Sequence, residues 1–276
     1  MRSNGFIFYS LFVIASLCLL TISCVKVNSD DKYVEGNIKI TTKEFTKTLD
    51  KLPADVKEKI LKERSVFLSY IERLLKISDE DKNFIFFPAD KTRLLPENFI
   101  PSDLKNLDNE SFPVNKKGMQ LRDNTITALK EMSNAANASG IKLLVSSAFR
   151  TYEYQKNLYN HYISIHGKEK TDTFSAPPGA SQHQLGTVID FGSITLEFRD
   201  TPEGKWIKEN GWKYGFSLSY PENLEKITGY NYEPWHYRYI TKEGALVEKE
   251  FFNGLQFLFL NYLAEHESFF KERLVK

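Results

Sequence analysis

Apolar side chains recur at helical spacing over residues 54–76, where Val56, Ile60, Phe67, Ile71, Leu74 and Leu75 share one face. Asp50 and Pro53 stand just ahead, where a helix start favours them. Residues 77–115 lose the period. Four prolines (Pro88, Pro96, Pro101 and Pro113) interrupt short apolar runs such as Phe84–Phe87, which predicts loops with one short strand. Regularity returns after Lys117. Leu121, Ile126, Leu129, Met132 and Ala136 mark a helix that Gly140 can end. Residues 141–147 read as a strand, and 151–166 as a helix with Thr151 as N-cap. A polar loop over 168–182 precedes a strand over 187–194. Thr201-Pro202-Glu203 opens a further helix with Pro at its first position. Residues 216–219 and 235–240 read as strands, and 242–270 as a helical region rich in Phe and Leu. Short strands mixed with helices, without strict alternation, predict an α+β fold.

The N-terminal end of this pattern carries a different message. Arg2 is followed by an apolar run, Phe6–Leu20, and then by Thr21, Ile22, Ser23 and Cys24. A short basic start, an apolar stretch and small residues near a cut site read as an export signal over 1–24. The alternative is an uncleaved anchor, because 6–25 is about long enough to span a bilayer. Both readings put the rest of the chain outside the cytoplasm, at the cell envelope. The chain has two cysteines, Cys18 and Cys24, so no disulfide holds the mature domain. Cys24 after Ile22-Ser23 resembles the lipid-attachment box of bacterial lipoproteins, although Thr21 stands where an aliphatic residue is usual. Residues 25–52 are polar and charged, as a tether would be.

With 37 basic and 36 acidic side chains, the chain lacks the cationic excess that a nucleic-acid partner requires. Hydrophobic residues at 41 % supply a full core.

Two stretches carry metal-ligand chemistry. In Ser181-Gln182-His183-Gln184-Leu185-Gly186-Thr187-Val188-Ile189-Asp190, a histidine and an aspartate lie seven positions apart. Extended, that span is about 23 Å, too long for one ion, so the chain must fold back, and Gly186 permits it. In Glu233-Pro234-Trp235-His236, His236 is a natural third ligand and Glu233 a candidate base. Three protein ligands with a place left for water is the usual catalytic zinc arrangement. By spacing alone, a hydrogen-bonded His–Asp pair is the commoner meaning. His161, His166 and His266 fall in helical regions without ligand spacing.

Together the two stretches resemble the VanY-type zinc D-alanyl-D-alanine carboxypeptidases, with the pattern Ser-x-His-x-x-Gly-x-Ala-x-Asp and later Glu-x-x-His. Ser147-Ala148-Phe149-Arg150-Thr151, Gln155, Gly204-Lys205-Trp206, Tyr214-Gly215-Phe216, Tyr220-Pro221 and Ile227-Thr228-Gly229-Tyr230 extend the match over about 114–240. Val188, Thr241 and Phe149 depart from the usual Ala, Gly and Tyr.

The resemblance implies a Hedgehog/DD-peptidase-like fold: a small central antiparallel sheet with flanking helices over 113–276, behind an N-terminal helical extension over 53–112. It implies one zinc ion held by His183, Asp190 and His236. Glu233 would be general base and then acid, and Arg150 would meet the developing oxyanion. Ser181 and Gln155 would seat the substrate. A bland role for Arg150 is a surface salt bridge, though a cation at a helix start is mildly unfavourable. The expected partners are peptidoglycan stem peptides and, through lipid or helix, a membrane; the expected state is a monomer. L,D-carboxypeptidase activity and an inactive peptide-binding lipoprotein are the alternatives.

Overall fold

The computed structural model describes residues 32–35, 37–81 and 83–275. The export segment, Cys24 and the start of the expected tether lie outside the described residues. The chain opens with a hairpin of β1 (Lys32–Glu35) and β2 (Ile38–Thr41), then α1 (Thr42–Thr48). Thr41 and Glu44 form a reciprocal cap at the start of α1. Residues 38–49 therefore depart from the expected tether. Ile38, Ile40, Phe45 and Leu49 are fully buried, and Ile38 bridges to Leu274 near the other end of the chain. Four apolar residues in twelve look polar on average, but all four point to one core.

The predicted helix over 54–76 is two helices, α2 (Ala54–Lys62) and α3 (Arg64–Glu80), broken at Glu63. Phe84–Phe87 is a turn rather than a strand. The strand in this region is β3 (Leu104–Asn106), which pairs with β4 (Gln120–Arg122). Then follow α4 (Asp123–Ala138), β5 (Val145–Ser147), α5 (Tyr152–His166) and one turn, α6 (Lys168–Thr171). Thr151 caps α5 as expected, accepting from the Tyr154 amide at 3.1 Å. Strand β6 (Val188–Phe191), α7 (Pro202–Asn210), β7 (Phe216–Leu218), α8 (Glu225–Thr228) and β8 (His236–Tyr239) complete the central region. Helices α9 (Lys242–Phe251) and α10 (Gln256–Lys271) end the chain, separated at Asn253-Gly254, both with positive φ.

The central sheet is antiparallel, in the order β5-β6-β8-β7. One of its faces packs on α4 and α7 through Leu129, Met132, Ile189, Phe191, Ile207 and Tyr237. A second core joins β2, α1, α2 and α3 to α9 and α10, through Phe67, Leu74, Phe251, Phe252, Phe259 and Tyr262. The packing division thus differs from the chain division. The N-terminal extension is completed by the last two helices and meets the sheet at Ile240. Buried Arg122 of β4 reinforces the junction by pairing with Asp81 and Asp103, and Arg238 of β8 donates to the carbonyls of Ile85 and Phe87 at 2.8 and 2.9 Å. Thr241 adopts φ 66°, ψ 160°, a backbone region that favours glycine. Its hydroxyl accepts from the Gly244 amide and caps α9, which gives threonine a use there.

Candidate active site

Strand pairing assembles the site. Asp190 lies opposite Ser147 on one side and opposite His236 on the other. Residues directly opposite in an antiparallel ladder share a face, so Asp190 and His236 point the same way. His183 arrives from a 3-10 turn over Gln182–Leu185, closed by Gly186 at φ +67°. A side chain at Gly186 would lie 2.8 Å from Leu104 Cδ2 and 3.0 Å from Arg122 Cγ, so both conformation and space demand glycine. This is the fold-back that the seven-residue spacing requires. At Glu233 the chain turns, with the His236 amide donating to the Glu233 carbonyl at 3.1 Å. The turn places Glu233 Oε2 3.4 Å from His236 Nδ1.

His183, Asp190 and His236 are all buried, and one ligand atom from each lies within 4.8 Å of the others. His183 Nε2 is 3.2 Å from Asp190 Oδ2, and His236 Nδ1 is 3.1 Å from Asp190 Oδ1. The far nitrogens are occupied. His183 Nδ1 donates to the Ala148 carbonyl at 2.7 Å, and His236 Nε2 donates to Gln182 Oε1 at 3.3 Å. With those nitrogens donating, His183 Nε2 and His236 Nδ1 are left to turn lone pairs toward a carboxylate. Asp190 Oδ1 is buried without a hydrogen-bond donor. Acceptors facing acceptors are unfavourable unless a cation lies among them. Two imidazoles and one carboxylate are a donor set that suits zinc.

The electrostatics agree. Burial, and then the Arg150 charge, lower His183 to about 4, which keeps the ring neutral and able to ligate. Burial alone would raise the Asp190 carboxyl, and only positive charge and hydrogen-bond donation from the positions of His183 and His236 hold it well below the usual range, a demand that a cation among them would also meet. Glu233 is pushed up to about 8 by burial and then by Asp190. A cation at the triad acts in the opposite sense.

Arg150 follows β5 and reaches back over the site. Its Nη2 donates to Asp190 Oδ2 at 3.0 Å and to Ser147 Oγ at 2.9 Å. Ser181 and Gln155 line the same cleft, which measures about 400 Å³. Gln155 Nε2 donates to the Ala176 carbonyl at 2.7 Å, and its Oε1 is buried without a partner. All seven expected site residues that the structure describes thus meet at one cleft. Tyr152 and Tyr154 do not line it, while Trp235 does. Trp206 packs on the sheet core. The wall also includes Tyr220, whose ring lies 4.8 Å from that of His236. Gln182 and Tyr220 went unassigned from the sequence, although both stand inside the matched motifs.

Residues 118–242 match the family described as VanY, D-alanyl-D-alanine carboxypeptidase. YodJ, a carboxypeptidase-family protein of Bacillus subtilis (strain 168), is 31% identical over 256 residues, covering 90% of this chain and 93% of YodJ. The chain belongs to the VanY family of carboxypeptidases. Among solved structures, the LD-carboxypeptidase LdcB overlays with a TM-score of 0.60 at 34% identity, covering 66% of this chain and 86% of LdcB. The vancomycin-resistance D,D-pentapeptidase VanY, solved with Zn(II), overlays at 0.53 with 26% identity, covering 65% of this chain and 99% of that one. As a VanY-family member the protein is a peptidase with the small-sheet fold its motifs implied, and its cofactor is zinc. No helix among the described residues is long and apolar enough to cross a membrane.

Proposed function

We propose that this protein hydrolyses the terminal D-alanine from peptidoglycan stem peptides ending in D-Ala-D-Ala, outside the cytoplasm. The observation that carries this reading is the buried set of acceptors on His183, Asp190 and His236 with Glu233 against it, at the floor of an open cleft. His183 Nε2, Asp190 and His236 Nδ1 would hold the zinc. When bound, zinc acidifies a water and polarises the scissile carbonyl. Glu233 accepts the proton of the attacking water and delivers it to the departing amine of D-alanine. Arg150, in the cleft wall beside Asp190, would place its guanidinium where negative charge grows on the carbonyl oxygen. Ser181 and the unpaired Oε1 of Gln155 orient the peptide end. The intact Glu233 and ligand set oppose an inactive binding module.

A second reading, removal of a single D-alanine from tetrapeptides, is favoured by the likeness to LdcB, an LD-carboxypeptidase. Mass spectrometry of pentapeptide and tetrapeptide muropeptides after incubation with the zinc-loaded protein separates the two. Loss of one alanine from the pentapeptide is expected. Trimming of the tetrapeptide alone would give the second reading, and no trimming of either would refute both.

A further inference from the structure

Beside His236, a buried polar chain outside the expected site runs from Gln182 in the cleft wall to Gln256 of α10. The Gln256 amide nitrogen donates to the Ser217 carbonyl at 3.2 Å. A backbone carbonyl only accepts, so this contact fixes which way the Gln256 amide faces. Its Oε1 then faces Gln182 Nε2 at 3.5 Å. That contact orients the Gln182 amide in turn, with Nε2 toward Gln256 and Oε1 toward His236. Ser219 Oγ lies 2.7 Å from Gln182 Oε1 and 3.1 Å from Gln256 Oε1, and its single hydroxyl proton, given to the nearer oxygen, holds the same orientation. Gln182 Oε1, a pure acceptor, faces His236 Nε2 at 3.3 Å. The imidazole must therefore carry its proton on Nε2, which leaves the Nδ1 lone pair directed at Asp190. Gln182, Ser219, Gln256 and His236 are all under 9% exposed, so water does not easily replace a missing partner.

We infer that Gln256 and Gln182 are positioning residues for zinc: they pass the polarity of the Ser217 carbonyl to His236 and hold it in the tautomer that ligates through Nδ1. Gln256 is the first residue of α10, beyond the segment 118–242 that matches the family. The C-terminal helix pair thereby contributes to the metal site as well as to the second core. This inference rests on His236 being a zinc ligand, as proposed above.

Two readouts test it on the full folded chain: the zinc dissociation constant by chelator competition, and the ring nitrogen chemical shifts of His236 by NMR. Gln182→Met removes the acceptor and is expected to weaken zinc binding about 10–100-fold, with loss of a pure Nε2–H signal. Gln256→Met frees the Gln182 amide to turn, with a smaller loss of about tenfold or less. Gln182→Glu keeps an acceptor toward Nε2, so it should preserve the tautomer and hold zinc at least as tightly as wild type. Zinc affinity and Nε2–H tautomer unchanged in both methionine variants would overturn the inference. So would a loss in Gln182→Glu equal to that in Gln182→Met. His236→Ala separates the premise, since undiminished zinc in that variant would remove His236 from the ligand set altogether.

Discussion

Glu233 and Arg150 flank the same buried triad but act on different charges. In the proposed reaction Glu233 accepts a proton, and glutamine at 233 keeps its size and hydrogen bonding without that capacity. Glu233→Gln should retain zinc and lose about 10²–10⁴-fold in kcat. A zinc-loaded variant turning over near the wild-type rate would assign the base elsewhere. In the proposed reaction Arg150 meets charge that develops only as the reaction proceeds. Arg150→Ala should therefore lower kcat by about 10²–10³-fold with a much smaller rise in KM. A large rise in KM at nearly unchanged kcat would instead make Arg150 a clamp on the peptide's terminal carboxylate. Wild-type kinetics with a lowered melting temperature would leave it only the structural pairing with Asp190 and Ser147.

Helix α9 joins the two cores and carries an acid that the chemistry does not use. Glu248 is buried, accepts from Ser217 Oγ at 2.8 Å and is raised by burial from 4.5 to about 8. The native state therefore binds its proton more tightly than the unfolded chain does. The corresponding stability is fully present below about pH 4.5 and is lost as pH rises through about 8. Glu248→Gln keeps the hydrogen bond and does not titrate. Its melting temperature should gain on wild type steadily from pH 5 to pH 8, by the equivalent of a few kcal/mol at most. Parallel melting curves across that range would show that Glu248 is ionised in the fold. Helices α4, α5 and α7 and strands β6, β7 and β8 were legible from period and caps because their own residues specify them. Residues 38–49 were not, because Ile38 pairs with Leu274 near the other end of the chain and Phe45 packs on Phe67 of another helix. The break at Glu63 left no local mark either. Site legibility follows the same rule. His183, Asp190 and His236 are ligand types set in two motifs whose resemblance to a known family makes them readable, whereas Gln256 is an ordinary helix-start glutamine whose meaning depends on β7 and β8.

Across the molecule, two cores meet along β8 and leave the cleft open on the sheet's other side. One is the matched peptidase core. The other is built from residues near both ends of the described chain, meets β8 through the carbonyls that hold Arg238, and approaches the site through Gln256 and Gln182. The whole account turns on what sits among His183, Asp190 and His236. An anomalous difference map at the zinc edge, from crystals grown with the metal, answers this directly. The expected result is one strong peak bounded by His183 Nε2, the Asp190 carboxylate and His236 Nδ1, with Glu233 beside it and the far histidine nitrogens still bonded to Ala148 and Gln182. A map with no peak there, or with zinc bound at another cluster while the triad keeps its direct contacts, would contradict it.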